Sequence, residues 1–80
     1  SAAFHKYLND RYAQTVVLTF AEIEDLIGFA LPELARASTD WWTRLDTAAD
    51  HSSLAASWIL ANRTARPNLQ ALTVAFERAS

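Results

Sequence analysis

The chain has 80 residues, no cysteine and a formal net charge of −2 at neutral pH. This length supports one domain over residues 1–80, and the lack of cysteine excludes disulfides and thiolate metal sites. Three Trp, four Phe and two Tyr must therefore build a dense core, unless a partner contributes to it. No apolar run approaches the ~20 residues of a membrane span, and the first residues lack the apolar centre of a signal peptide. We expect a cytoplasmic protein without a membrane segment.

The first quarter of the chain predicts a helix followed by a strand. Aromatic and apolar residues at helical spacing predict a helix over residues 3–13. The segment Thr15–Thr19 is short and β-branched, which predicts a strand. Its apolar residues are continuous rather than alternating, so we expect a central strand that is covered on both faces.

A capping pattern marks the next helix. Thr19 is followed three residues later by Glu22, and in such a pair the two side chains satisfy free backbone N–H groups reciprocally. Gly28, the only glycine, stands where a left-handed residue commonly ends a helix. The sequence therefore predicts a capped helix over residues 20–27.

The middle of the chain predicts two helices around a short extended piece. Pro32 fits the start of a helix that runs to Ala37. We interpret Trp41–Leu45 as extended. Residues 51–62 are good helix formers and place Leu54, Trp58 and Ala61 on one apolar face, so we expect these three in the core.

The last third predicts a β-hairpin. Arg63–Asn68 is interpreted as a strand that Pro67 keeps at the edge of a sheet, and residues 68–71 as a turn. Residues 72–78 alternate, with Leu72, Val74 and Phe76 facing inward. The predicted fold class is α+β. Its sheet has about three mainly antiparallel strands, residues 15–19 pair with one strand of the hairpin, and the helices pack on one face.

Several segments together resemble a known group of proteins. They are Tyr7-Leu8, Leu18-Thr19-Phe20-Ala21-Glu22-Ile23-Glu24-Asp25-Leu26-Ile27-Gly28 with Leu31-Pro32, Trp41-Trp42, His51-Ser52 with Trp58, and Val74-Ala75-Phe76-Glu77-Arg78. In this order they resemble a family of small uncharacterised bacterial domains that occur alone or fused to other modules. Two departures are Thr43, where members tend to have Asn, and Asn62-Arg63, where they tend to have Gly and an aromatic residue. The resemblance supports the fold more than any function.

No group of residues predicts catalysis or a cofactor. His5, Asp46, Asp50 and His51 are the only candidates for metal or acid–base chemistry, and zinc sites need three or four ligands with supporting contacts. Ser52 beside His51 lacks the third, orienting group of a catalytic triad. A single glycine excludes a glycine-rich phosphate loop. We therefore expect a non-enzymatic protein without metal or cofactor.

The tryptophan pair predicts a binding patch. Neighbouring side chains on an extended backbone point to opposite faces, so one ring would enter the core and the other would be exposed. We expect Trp42 to be the exposed one. With Trp41, Arg44, His51 and Arg63 it forms the candidate patch.

Two functions for this patch stay open. A nucleic-acid-binding accessory module would stack bases on the exposed indole and hold phosphates with the guanidinium groups. A protein-interaction or homo-oligomerisation domain would use the same Trp and Arg side chains as binding hot spots. The net charge favours the second function and the bacterial resemblance favours the first. The sequence is therefore compatible with three kinds of partner: a nucleic acid, another protein or a second copy of the chain.

Overall fold

The computed structural model describes residues 2–43 and 49–79, with the backbone alone over residues 49–53. Five helices and one three-stranded antiparallel sheet lie within these ranges. This architecture confirms the predicted α+β class and the predicted number and direction of the strands. The elements are α1 (Ala2–Asn9), β1 (Thr15–Thr19), α2 (Phe20–Ile27), α3 (Glu33–Ala37), α4 (Thr39–Thr43), α5 (Ala49–Ile59), β2 (Arg63–Asn68) and β3 (Thr73–Arg78). The first helix is predicted over residues 3–13, whereas α1 ends at Asn9 and is therefore shorter.

The sheet has the order β1–β3–β2, so the last strand is the central one. Leu18 of β1 and Pro67 of β2 both lie opposite Val74 of β3, which confirms the hairpin and its pairing with residues 15–19. The prediction that β1 is central and covered on both faces is wrong. β1 is an edge strand whose residues alternate between exposed and buried, and Val17 is 60% exposed. The apolar run of β1 is continuous because a β-branched residue, Val17, also occupies the exposed face. Helices cover only the other face of the sheet, so the run does not indicate burial on both faces.

The two faces of the sheet differ in composition. Inward-facing side chains of the three strands join the core: Val16, Leu18, Ala65, Val74 and Phe76. Leu72 was expected to face inward with them, but it precedes β3, has a positive φ of 58° and is 49% exposed. The opposite side, which we call the outer sheet face, consists of Thr15, Val17, Thr19, Thr64, Arg66, Asn68, Thr73, Ala75 and Glu77.

The predicted caps of α2 are present. The Thr19 hydroxyl accepts a hydrogen bond from the Glu22 N–H at 3.0 Å, and the Thr19 N–H donates to Glu22 Oε1 at 2.8 Å. Gly28 ends the helix with φ 86°, and its N–H donates to the Glu24 carbonyl at 2.8 Å. The capping signals in the local sequence therefore coincide with the two observed ends of this helix.

The tryptophan pair lies in a helix and not in an extended segment. Trp41 and Trp42 belong to α4 and are 6% and 1% exposed. Successive side chains of a helix are separated by about 100° rather than 180°, so both rings can point into one core. The Trp42 Nε1–H donates to the Ala35 carbonyl of α3 at 2.7 Å, which satisfies the one polar group of the buried indole.

A chain of aromatic contacts connects the helices to the sheet. The ring centroids of Trp42 and Trp58 are 5.7 Å apart, and Trp58 contacts Phe76 of β3 at 5.5 Å. Phe4 of α1 packs edge-on against Phe76 at 5.4 Å, while Phe20 stacks on Trp42 at 5.9 Å. Trp58 is 1% exposed, which confirms its predicted position in the core.

Glu24 joins α2 to the segment that leads into α3. Its Oε2 accepts hydrogen bonds from the Leu31 N–H at 2.6 Å and from the Arg36 guanidinium at 2.9 Å. The bond from the Leu31 backbone, followed by that from Arg36, holds the pKa of the Glu24 carboxyl below its ordinary value.

Removing the capping hydroxyl should destabilise the fold. We expect Thr19→Ala to lower the free energy of unfolding by about 1 kcal/mol, the usual loss for such a cap, in chemical denaturation. Thr15→Ala, on the same exposed face of β1, controls for the loss of a β-branched residue. Equal effects of the two substitutions would contradict a capping role.

The Glu24 contacts should make stability depend on pH. Because the pKa of this carboxyl is lowered in the folded state, its contribution is complete above the ordinary value of 4.5 and is lost as the pH falls through the folded-state pKa. Glu24→Gln should therefore lower the melting temperature at pH 7, and the difference from the wild type should shrink in acid. Asp25→Asn, on the same helix, is the charge-matched control. A difference that stays constant from pH 7 to pH 3 would refute the assignment.

Candidate functional site

Three of the five residues of the predicted patch are buried in the structure. Trp41, Trp42 and Arg63 are 6%, 1% and 2% exposed, so the prediction of an exposed Trp42 is wrong. Trp42 and Arg63 line a crevice of about 230 Å³ beside β2, but almost none of their own surface is accessible there. Arg44 and the side chain of His51 lie outside the described residues.

Arg63 instead holds the backbone together. Its Nη1 donates to the carbonyls of Gln14 at 3.2 Å and Phe76 at 3.1 Å. Its Nη2 donates to the carbonyls of Arg11 and Ala13, both at 3.0 Å. Four carbonyl dipoles thus surround the planar guanidinium, and they connect the segment before β1 to the other two strands.

The charge of Arg63 has no carboxylate partner among the described residues. Burial lowers the pKa of its guanidinium below the ordinary value, and the positive charge of Arg78 lowers it further. Arginine stays protonated even so, and the carbonyl oxygens supply the compensating negative potential. Its Nε–H is buried and without a partner in the described part of the chain, which is a cost that the four bonds offset. In the structure the residues of β2 alternate between buried and more exposed positions, and Arg63 occupies a buried one. The segment Arg63–Asn68 has no matching alternation of apolar and polar residues, so its sequence did not indicate this role.

Hydrogen bonds at the two ends of β1 show which backbone groups face its open edge. The Arg78 N–H donates to the Gln14 carbonyl, and the Phe20 N–H donates to the Leu72 carbonyl. In an antiparallel ladder, bonds at these positions make Thr15 and Thr19 members of non-hydrogen-bonded pairs with β3. The alternation then makes Val17 a member of such a pair as well. The N–H and C=O groups of all three residues consequently point away from β3.

Only part of this edge is available to a partner. The Thr19 N–H already donates to Glu22 Oε1, so the capping box of α2 closes one end of the edge. Thr15 and Val17 make no further backbone hydrogen bond within the described part of the chain. We call their outward N–H and C=O groups, together with the exposed Val17 side chain, the β1 edge.

The opposite edge of the sheet is protected. The Ala79 N–H donates to the Asn62 carbonyl, and the same alternation then directs the backbone of Pro67 outward. Proline has no N–H to offer there, and α4 packs against β2. Charged residues and proline on an edge are common protections against unwanted strand pairing. The segment Thr15–Thr19 contains neither.

A shallow trough crosses the outer sheet face next to the β1 edge. Its volume is about 580 Å³, and it runs from Val17 over Ala75 and Thr73 to Asn68 and Gln70 at the hairpin. Arg66 borders it and pairs with Glu77 at 3.0 Å. The residues of β1 and β3 that line it, Val17, Thr73 and Ala75, have small side chains. The described residues contain neither a cluster that could hold a metal ion nor a helix long and apolar enough to cross a membrane.

Replacing the guanidinium should destabilise the fold strongly. We expect Arg63→Lys to lower the free energy of unfolding by about 3 kcal/mol, because an ammonium has three donors and cannot match four carbonyls around a plane. Arg66→Lys, at an exposed ion pair on the same strand, should change it by less than about 1 kcal/mol. Denaturation curves of both variants check the expectation, and a near-wild-type Arg63→Lys protein would disprove it.

Two comparisons with known proteins gave no match, one with curated proteins and one with solved structures. A family model described as a domain of unknown function (DUF7662) matches residues 2–77. This match confirms the resemblance to an uncharacterised domain family that the sequence indicated. Because the match covers almost the whole chain, the protein belongs to the DUF7662 family.

Proposed function

We propose that this domain is a non-enzymatic protein-interaction module that binds an extended segment along the β1 edge by strand addition. In this mode the main chain of the bound segment continues the sheet and supplies most of the hydrogen bonds. The observation that carries the proposal is the pair of outward, unpaired backbone positions at Thr15 and Val17.

The surroundings of these groups support the proposal. Val17 exposes 60% of its surface at the centre of the edge, which an added strand would partly cover. Tyr12, three residues before β1, is 96% exposed and offers a further apolar contact close to the same edge. Trough and edge are continuous at Val17, so side chains of a bound strand can reach across the outer sheet face.

The nucleic-acid hypothesis has less support. It depended on an exposed tryptophan beside guanidinium groups, and Trp41, Trp42 and Arg63 are all buried. The outer sheet face carries no aromatic side chain on which a base could stack. The net charge of −2 also gives little attraction for phosphates.

Site-specific cross-linking tests strand addition. A photoreactive amino acid replaces Thr15 in one variant and Thr64 in another, since both are exposed on the outer sheet face but lie on opposite edge strands. In bacterial cells we expect the probe at position 15 to capture a defined protein segment that the probe at position 64 does not. A synthetic peptide of that segment should protect the Val17 amide from hydrogen exchange in NMR spectra, and Val17→Lys should abolish the protection.

The same variants give the contradicting outcomes. Equal capture at both positions, or a captured peptide that leaves the Val17 amide unprotected, would overturn strand addition. Titration with single- and double-stranded oligonucleotides at two salt concentrations covers the other hypothesis. Binding that falls steeply with salt and is unaffected by Val17→Lys would replace our proposal with nucleic-acid recognition.

A further inference from the structure

We infer that the β1 edge pairs antiparallel with the β1 edge of a second copy of this chain, with Val16 at the two-fold axis. This inference rests on the proposed function, because it names the occupant of the same edge. The resulting dimer would join two three-stranded sheets into one of six strands, with both sets of helices on the same side.

The free backbone groups select the register. An antiparallel pair centred on Val16 places Thr15 opposite Val17 of the second copy, and Val17 opposite its Thr15. Both are then hydrogen-bonded pairs, so the N–H and C=O of each residue find partners and four bonds form across the axis. A pair centred on Val17 would instead place Thr15 opposite Thr19, whose N–H is already bound to Glu22. The capping box therefore favours the Val16 register.

The composition of β1 suits pairing with itself. In a two-fold interface each residue near the axis meets the same surface of its copy, so any charge would face a like charge. Residues Gln14–Thr19 carry no charge, and no like charges oppose each other in this register. The β-branched side chains of Thr15 and Val17 would form cross-strand pairs on the outer sheet face, where both are exposed. Pairing thus covers the apolar surface of Val17 without burying a charge.

Engineered cysteines report both the pairing and its register. The chain has no cysteine, so a single thiol can form a disulfide only with another copy. Directly opposed residues of a hydrogen-bonded pair have Cα atoms about 5.5 Å apart, within the range that a disulfide bridges. A mixture of Thr15→Cys and Val17→Cys proteins should oxidise mainly to the mixed dimer, and each variant alone should cross-link at least about tenfold more slowly. Both positions are exposed, so neither substitution disturbs the core.

Sedimentation and hydrogen exchange test the untethered protein. We expect a reversible dimer whose formation protects the Val17 amide as the protein concentration rises, while the Val16 and Leu18 amides are protected at every concentration by their bonds to β3. Val17→Lys should raise the dimer Kd at least about tenfold, corresponding to ~1.4 kcal/mol. Thr64→Lys, the same charge change on the opposite edge strand, should leave the Kd unchanged.

The outcomes separate this inference from the proposed function. A protein that stays monomeric near 1 mM, or cysteine variants that cross-link with no preference for the mixed pair, would overturn self-pairing. If the probe at position 15 still captured a segment of another protein that protects the Val17 amide, strand addition would stand with a different occupant. If nothing protected that amide, both proposals would fall. Preferential disulfides within the Val17→Cys protein alone would refute the Val16 register.

Discussion

The buried guanidinium of Arg63 is the constraint on which the sheet depends. The segment between α1 and β1 has no regular structure of its own, yet three of its carbonyls accept hydrogen bonds from this one side chain. A fourth bond reaches the Phe76 carbonyl in the central strand. Arg63 therefore sets the point at which the chain enters β1, and with it the position of β1 against β3. A buried charge adds little net stability by itself, but here it specifies one arrangement of three strands.

The register fixed in this way decides which backbone groups remain open. Because Val16 and Leu18 bond to β3, Val17 faces outward, and the same alternation directs Pro67 outward on the other edge. The β2 edge thus lacks a donor at Pro67 and α4 packs against its strand, while the β1 edge keeps the donors and acceptors of Thr15 and Val17. The asymmetry connects an internal hydrogen-bond network to the surface that we propose as the interaction site.

The three tryptophans are buried in the single core that lies between the helices and one face of the sheet. In a chain of 80 residues without disulfides, a large buried area per residue is needed to balance conformational entropy. Trp42 and Trp58 in contact, extended by Phe4, Phe20 and Phe76, supply that area. Few aromatic side chains are therefore left for a surface platform, and the outer sheet face carries small and polar residues instead.

Local signals in the sequence were sufficient to predict several features of the fold. The Thr19–Glu22 capping box and Gly28 bounded α2, and the spacing of Trp58 and alternation of Val74 and Phe76 identified their buried faces. The sequence did not predict that β1 lies at an edge, that Trp41 and Trp42 are helical and both buried, or that Arg63 donates hydrogen bonds to four backbone carbonyls. These outcomes depend on contacts between residues far apart in the chain. A run of β-branched residues has the same sequence pattern whether its strand is at the centre or at the edge of a sheet. The carbonyl partners of Arg63 come from segments far from it in the chain, so they can be identified only in the folded structure.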